Sequence, residues 1–204
     1  MRRGEVTDEL RESVESAQRR EQSVLQSLLR PPQVERLRQR LGAPFDTSKL
    51  QRIYPMAPEL VDSGHWINTS PLTMRSLRGK IVLVHFYAFQ CHNCHANFPI
   101  YKRWHSRYHS SGDVVVLGIQ TPETSAEADP ARVRQAAQEE GIEFPVLIDL
   151  DKKNWQAWGN TMWPTVYVVD QDGYIRLWWQ GELNWQGATG DQTIEQLIDS
   201  LLRH

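Results

Sequence analysis

Apolar positions along the chain fall into two kinds of period. From residue 7 to about 41 they recur at spacings of three and four: Leu10, Val14, Ala17, Val24, Leu25, Leu28 and Leu29, with charges between them. That spacing predicts an amphipathic helix. Glu21 interrupts the seam, and Pro31-Pro32 breaks the run at a place where a helix can restart in its first turn. The stretch reads as a helix laid on a domain, or as a short partner helix that mediates self-association. Residues 43–57 contain prolines, follow no period and read as a linker.

From about residue 58 the period changes. Short β-branched and aromatic runs predict strands near 65–68, 80–88, 113–120, 145–149, 165–170 and 174–180. Helical spacing predicts helices near 94–110, 130–140, 152–159 and 191–203. Alternating strands and helices imply an α/β layer fold around a central sheet. Asp172-Gly173 separates two of the runs and signals a hairpin, so the last two strands are expected to be antiparallel. The chain therefore reads as a helical extension over 1–42, a linker over 43–57 and an α/β domain over 58–204.

Composition narrows the classes. The chain has 204 residues, 40% hydrophobic and 24% charged, as in ordinary globular proteins. A formal charge of −2 argues against a nucleic-acid binder. No run approaches the roughly 20 apolar residues that span a bilayer. Met1-Arg2-Arg3-Gly4-Glu5-Val6 leads into a charged segment without a signal-peptide core, which makes the cytoplasm the default expectation. The two cysteines share one motif, so the fold stands on its core and not on a disulfide framework.

That motif carries the chemistry. Ile81-Val82-Leu83-Val84-His85-Phe86-Tyr87-Ala88-Phe89 reads as a buried strand that leads through Gln90 into Cys91-His92-Asn93-Cys94 and a helix. At a strand-to-helix junction the first sulfur meets unpaired backbone N–H groups and the positive end of the helix dipole. Such surroundings lower a thiol pKa from about 8.5 into a range of roughly 3.5–7.5. The second sulfur is close enough to close a disulfide. The pair is built for dithiol–disulfide exchange and needs no cofactor.

Residues 58–203 resemble the thioredoxin-fold domains of the TlpA-like and DipZ-type thiol-disulfide oxidoreductases. The residues that carry the resemblance are Trp66 to Thr73, Leu77-Arg78-Gly79-Lys80, Cys91-x-x-Cys94 with Pro99 five residues on, Gln120-Thr121-Pro122-Glu123, and Trp163-Pro164-Thr165. The resemblance implies that Cys91 attacks, that Cys94 resolves, and that Pro164 is a cis proline opposite the disulfide. It implies a protein thiol or disulfide as substrate and a second redox partner. It also implies an extracytoplasmic setting. His92, Asn93 and Trp163 are the expected walls of the substrate groove.

Several positions depart from the family pattern. Gln90 stands where a tryptophan is usual, and His85 where these domains carry a buried acid. His85 is expected either to relay the resolving thiol's proton or to be a neutral, hydrogen-bonded core residue. Asn97 replaces a glutamate, which leaves no carboxylate apparent as a proton shuttle. A cationic His92 would stabilise the Cys91 thiolate and make the disulfide more oxidising.

Other chemistries compete for these residues. Cys91-His92-Asn93-Cys94-His95 also fits the C-x-x-C-H haem-attachment pattern, but a strand directly before it and Trp163-Pro164 downstream disfavour haem. A Cys/His site of the copper-handling kind is the alternative from another class. His105 and His109 stand one helical turn apart and read as surface residues. Tyr87-Ala88-Phe89-Gln90 lacks the Pro-x-x-x-Thr-x-x-Cys context of a peroxide-activating cysteine. Neighbouring Trp178 and Trp179 must point to opposite faces of a strand, so one is expected to be exposed. Trp155 and Trp158 are expected in the core.

Overall fold

Ile81–Tyr87 is buried over its whole length, and this strand organises everything around it. In a computed structural model of the protein, residues 30–41 and 54–203 are described, with isolated helical positions between 16 and 28. Of the apolar seam from Leu10 to Leu29, Ala17, Val24 and Leu28 are described, each helical and exposed; Leu10, Val14, Leu25 and Leu29 lie outside the described residues, as does the linker over 43–53. The chain divides into two units, residues 1–53 and 54–204. In the first, helix α1 (Pro31–Leu41) begins at the Pro31-Pro32 pair, where proline is compatible with a first turn.

The second unit runs β1 (Trp66–Ile67), β2 (Ile81–Tyr87), α2 (His92–Tyr108), β3 (Val114–Gln120), α3 (Pro130–Glu139), β4 (Val146–Ile148), α4 (Lys153–Ala157), β5 (Thr165–Val169), β6 (Ile175–Gln180) and α5 (Gly190–Leu201). Single 3₁₀ turns at Ser125–Ala128 and Trp185–Gly187 have no counterpart in the sequence expectations. Every predicted strand and helix of this unit is present, most of them shorter by one or two residues. The sheet order is β1-β4-β3-β2-β5-β6. β2, β3 and β4 are parallel, whereas β5 and β6 form the antiparallel hairpin that Asp172-Gly173 predicts. Residues 55–57, read from sequence as the end of a linker, pair with this hairpin: Ala57 N–H donates to Gly173 O and Ile175 N–H to Pro55 O.

Alternate residues of β2 feed two cores, as the two-residue period of a strand requires. Ile81, Leu83 and Tyr87 pack with Phe98, Tyr101 and Trp104 of α2 and with Ile194 and Ile198 of α5. Val82, Val84 and Phe86 pack with Trp66, Met74, Leu77 and Trp158 on the other face. A strand buried on both faces reads as one continuous apolar run, which is how β2 looks in the sequence. Helices α2 and α5 are further tied by Trp104 Nε1, which donates to Glu195 Oε1 at 2.7 Å. Among the described residues no helix is long and apolar enough to cross a membrane.

His85 occupies the α2 side of β2 and pairs in register with Gly118 of β3. A Cβ on Gly118 would lie 3.1 Å from Tyr87 Cε1 and 3.2 Å from His85 Nε2. The missing side chain is what gives these two rings their room.

Candidate active site

The strand that ends at Tyr87 delivers Cys91 to the first turn of α2. Cys91 is the N-cap of that helix, with an extended backbone (φ −74°, ψ 113°) and no side-chain cap. The free N–H groups of the first turn are therefore available to its sulfur. Cys91 is half-buried, while Cys94, one turn inside, is fully buried.

The two thiols are electrostatically divided. A hydrogen bond from the Cys94 thiol lowers the pKa of Cys91 to about 7, helped by the backbone N–H groups of Cys94 and Asn93. Partial burial and the negative charge of Glu123 oppose that shift. Cys94 moves far the other way, because it gives its proton to the hydrogen bond with Cys91 and because it is buried. At neutral pH the half-buried outer sulfur is close to half ionised and the inner one is a thiol.

Around Cys91 lies an open cleft of about 480 Å³, walled by His92, Asn93, Glu123, Met162 and Trp163. Trp163 precedes Pro164, and the bond between them is cis. The indole of Trp163 stacks on Trp155 with centroids 4.0 Å apart, and Lys152 Nζ lies 5.6 Å above the Trp163 ring. Trp155 is half-buried and packs against the core, edge-on to Phe86, while Trp158 is buried as expected. Asn93 also borders a second hollow of about 360 Å³ lined by Trp179 and Trp185. Of the neighbouring pair on β6, Trp178 is the exposed member and Trp179 packs against the core.

The structure places the remaining sequence candidates as follows. His92 and Asn93 are exposed at the mouth of the cleft. His85 is wholly buried, stacked on Tyr101 at 4.0 Å, and burial drops its pKa to about 3. It is neutral, yet neither ring nitrogen has the hydrogen-bond partner expected of a core histidine. The Tyr87 hydroxyl is likewise unpartnered, and burial holds the Tyr87 and Tyr101 phenols protonated. Asn97 is a structural cross-link: its side chain donates to Gly181 O at 3.2 Å and accepts from Leu183 N–H at 2.9 Å. His95 Nε2 lies 2.8 Å from the Phe89 carbonyl oxygen and Nδ1 lies 3.2 Å from the Glu140 carboxylate, so both ring nitrogens are engaged. Among the described residues no three His, Cys, Asp or Glu side chains gather as a metal ion would require.

Sequence reasoning missed two acids. Glu123 brings a carboxylate to the cleft, where none was apparent. Glu127, fully buried, accepts a hydrogen bond from the N–H of Gln90, the residue before Cys91. A signal was available: Thr124-Ser125-Ala126-Glu127 has the T-x-x-E form of a capping box.

The sequence model of the AhpC/TSA family matches residues 58–178, more than half of the chain. The chain belongs to the AhpC/TSA family. It is 37% identical over 123 residues to protein DipZ of Mycobacterium tuberculosis, a match that covers 59% of this chain and 18% of DipZ. It therefore spans only a small part of the DipZ length. It is 26% identical to the thiol-disulfide oxidoreductase YkuV of Bacillus subtilis over 71% of this chain and 93% of that one. The crystal structure of the thioredoxin-like superfamily protein SPOA0173 matches with a TM-score of 0.65 at 23% identity, over 73% of this chain and 97% of that one. The fold of this AhpC/TSA member is thioredoxin-like, a mixed six-stranded sheet flanked by helices.

Proposed function

We propose that residues 54–203 catalyse thiol–disulfide exchange with a protein partner. The observation that carries this reading is the division of the pair: an accessible Cys91 with a pKa of about 7, hydrogen-bonded by a buried Cys94 that stays protonated. The thiolate is the reactive form, and a thiol with a pKa near ambient pH is the best attacking group. In the reductive direction the Cys91 thiolate attacks one sulfur of a partner disulfide. A Cys91–partner mixed disulfide forms and the other partner sulfur leaves as a thiolate. Cys94 then passes its proton to the partner thiolate just released and attacks Cys91 Sγ. The partner's second thiolate departs, and the Cys91–Cys94 disulfide remains. The partner gains two electrons and the pair loses two. Oxidation of a partner dithiol is the same path reversed.

Trp163 forms the wall against which the partner chain lies, with the buried Pro164 next to it in the chain and His92 and Asn93 at the mouth. His85 enters as a neutral group. A pKa of about 3 makes its imidazole too weak a base to hold the Cys94 proton. The resemblance to YkuV and DipZ supports a protein thiol as substrate and a second redox partner that resets the pair. The resemblance to DipZ-type domains supports an extracytoplasmic setting, where that partner would decide the resting state.

The test is equilibration with glutathione or dithiothreitol redox buffers, with the state of the pair read by thiol alkylation and mass. A reversible two-electron Cys91–Cys94 couple is expected, together with a trapped mixed disulfide in the Cys94→Ala variant. A pair that never closes an intramolecular disulfide would overturn the reading.

A further inference from the structure

Glu127 is a carboxylate with no exposed surface, 36 residues beyond Cys91, and both of its oxygens are used. Oε1 accepts from the backbone N–H of Gln90 at 2.7 Å. Oε2 accepts from the N–H groups of Glu123 and Thr124, each at 2.8 Å. The Thr124 hydroxyl donates to the Gln90 side-chain oxygen at 2.7 Å, so the same two loops are laced twice. Burying a carboxyl group is costly unless its oxygens are matched by donors, and here three backbone donors match them. One oxygen grips the chain just before the nucleophile. The other grips the loop that carries Glu123 to the cleft.

We propose that Glu127 is a positioning residue of the thiol centre, clamping the Gln90–Cys91 backbone to the 123–124 loop so that the Glu123 charge acts on the dithiol from a fixed distance. This rests on the exchange reading above. The charged and titratable groups that bear on Cys91 are Cys94, Glu123 and the exposed His92, together with the first-turn N–H groups of α2. A held negative charge disfavours the Cys91 thiolate. It thereby destabilises the reduced pair and makes the disulfide less oxidising. The clamp sets the poise of the centre through Glu123, and no atom of Glu127 touches a reacting sulfur.

The experiment is a double-mutant cycle in the full chain: wild type, Glu123→Gln, Glu127→Gln and the double variant. Each is titrated for the Cys91 thiolate by alkylation rate against pH, and equilibrated with glutathione. Glu123→Gln is expected to lower the Cys91 pKa and shift the redox equilibrium about tenfold toward the dithiol, which is about 30 mV. Glu127→Gln is expected to do the same, and Glu123→Gln to add less than about half its own effect in that background. Fully additive effects, or a Glu127→Gln centre identical to wild type, would overturn the proposal. If Glu127→Gln does not fold, Glu123→Gln still decides, because an unchanged Cys91 titration in that surface variant overturns it alone. A wild-type pair that forms no reversible disulfide would instead sink the exchange reading.

Discussion

The thiol of Cys94 donates its hydrogen bond to the sulfur of Cys91, and that one contact is the largest cause of the separation between their ionisations. Cys94→Ala removes the donor. The Cys91 midpoint is expected to rise from about 7 toward the ordinary thiol value. At pH 7 the thiolate fraction would fall from near one half to a few per cent, and alkylation would slow roughly tenfold. Cys94→Ser keeps an O–H donor in place, so its Cys91 is expected to stay within a few-fold of wild type. Iodoacetamide rates from pH 5 to 9 on the two variants check this. Equal rates in the alanine and serine variants would remove the hydrogen bond from the explanation.

His85 makes the stability of the second unit depend on acid. Its folded pKa is about 3 against 6.5 in a free histidine, because burial excludes the charged ring. The unfolded chain therefore takes up a proton below about pH 6.5 that the folded chain refuses. Stability contributed this way is fully present above the unfolded pKa and is lost as pH falls from 6.5 toward 3. The full span is roughly 5 kcal/mol. His85→Phe fills similar space among Tyr87, Tyr101 and Phe144 and removes two unpaired ring nitrogens. Urea unfolding at several pH values is expected to show the wild-type minus variant difference growing as pH drops below 6. A difference that is flat with pH would contradict the account.

Asn97 offers a simpler test. Its side chain holds the buried N–H of Leu183 and the carbonyl of Gly181, which anchors the loop after β6 to α2. Asn97→Ala leaves the Leu183 N–H without its partner inside the core. The expected cost is about 1–3 kcal/mol in urea unfolding. Cys91 alkylation at pH 7 should change little, because Asn97 bonds to neither sulfur.

The β2–α2 junction was legible because it is local. A strand buried on both faces leaves an unbroken apolar run, and two cysteines one helical turn apart follow it with only Ala88, Phe89 and Gln90 between. The Asp172-Gly173 hairpin was legible for the same reason. What escaped is what the chain brings from far away. Glu127 reaches Gln90 across 37 residues and Thr124 reaches it across 34. In sequence such acids look like any solvated charge. The T-x-x-E signal at Thr124–Glu127 reports a helix start, not which distant loop its carboxylate grips. Trp155 was legible only as a core contact, because α4 is five residues long, too short for a helical period to show that the ring also backs Trp163. His85 was half legible: its place in the apolar run gave the burial, but nothing local gives the missing hydrogen bonds.

Trp155 supports Trp163 from behind, and this separates recognition from chemistry. The two indoles stack at 4.0 Å, while Trp155 is not among the residues that wall the cleft at Cys91. A stacked aromatic pair contributes about 0.5–1.5 kcal/mol beyond its buried area. In Trp155→Ala the Trp163 ring loses its backing, and a partner that leans on that ring should bind more weakly by about the same amount. That is a fall of roughly two- to tenfold in kcat/KM toward a disulfide-linked peptide, carried by KM. Oxidised glutathione is too small to need the wall, so its rate with Cys91 should stay near wild type. Parallel stopped-flow measurements with the two disulfides would read the split. Equal losses on both would mean that the stack shapes the thiol centre itself and not the partner's seat.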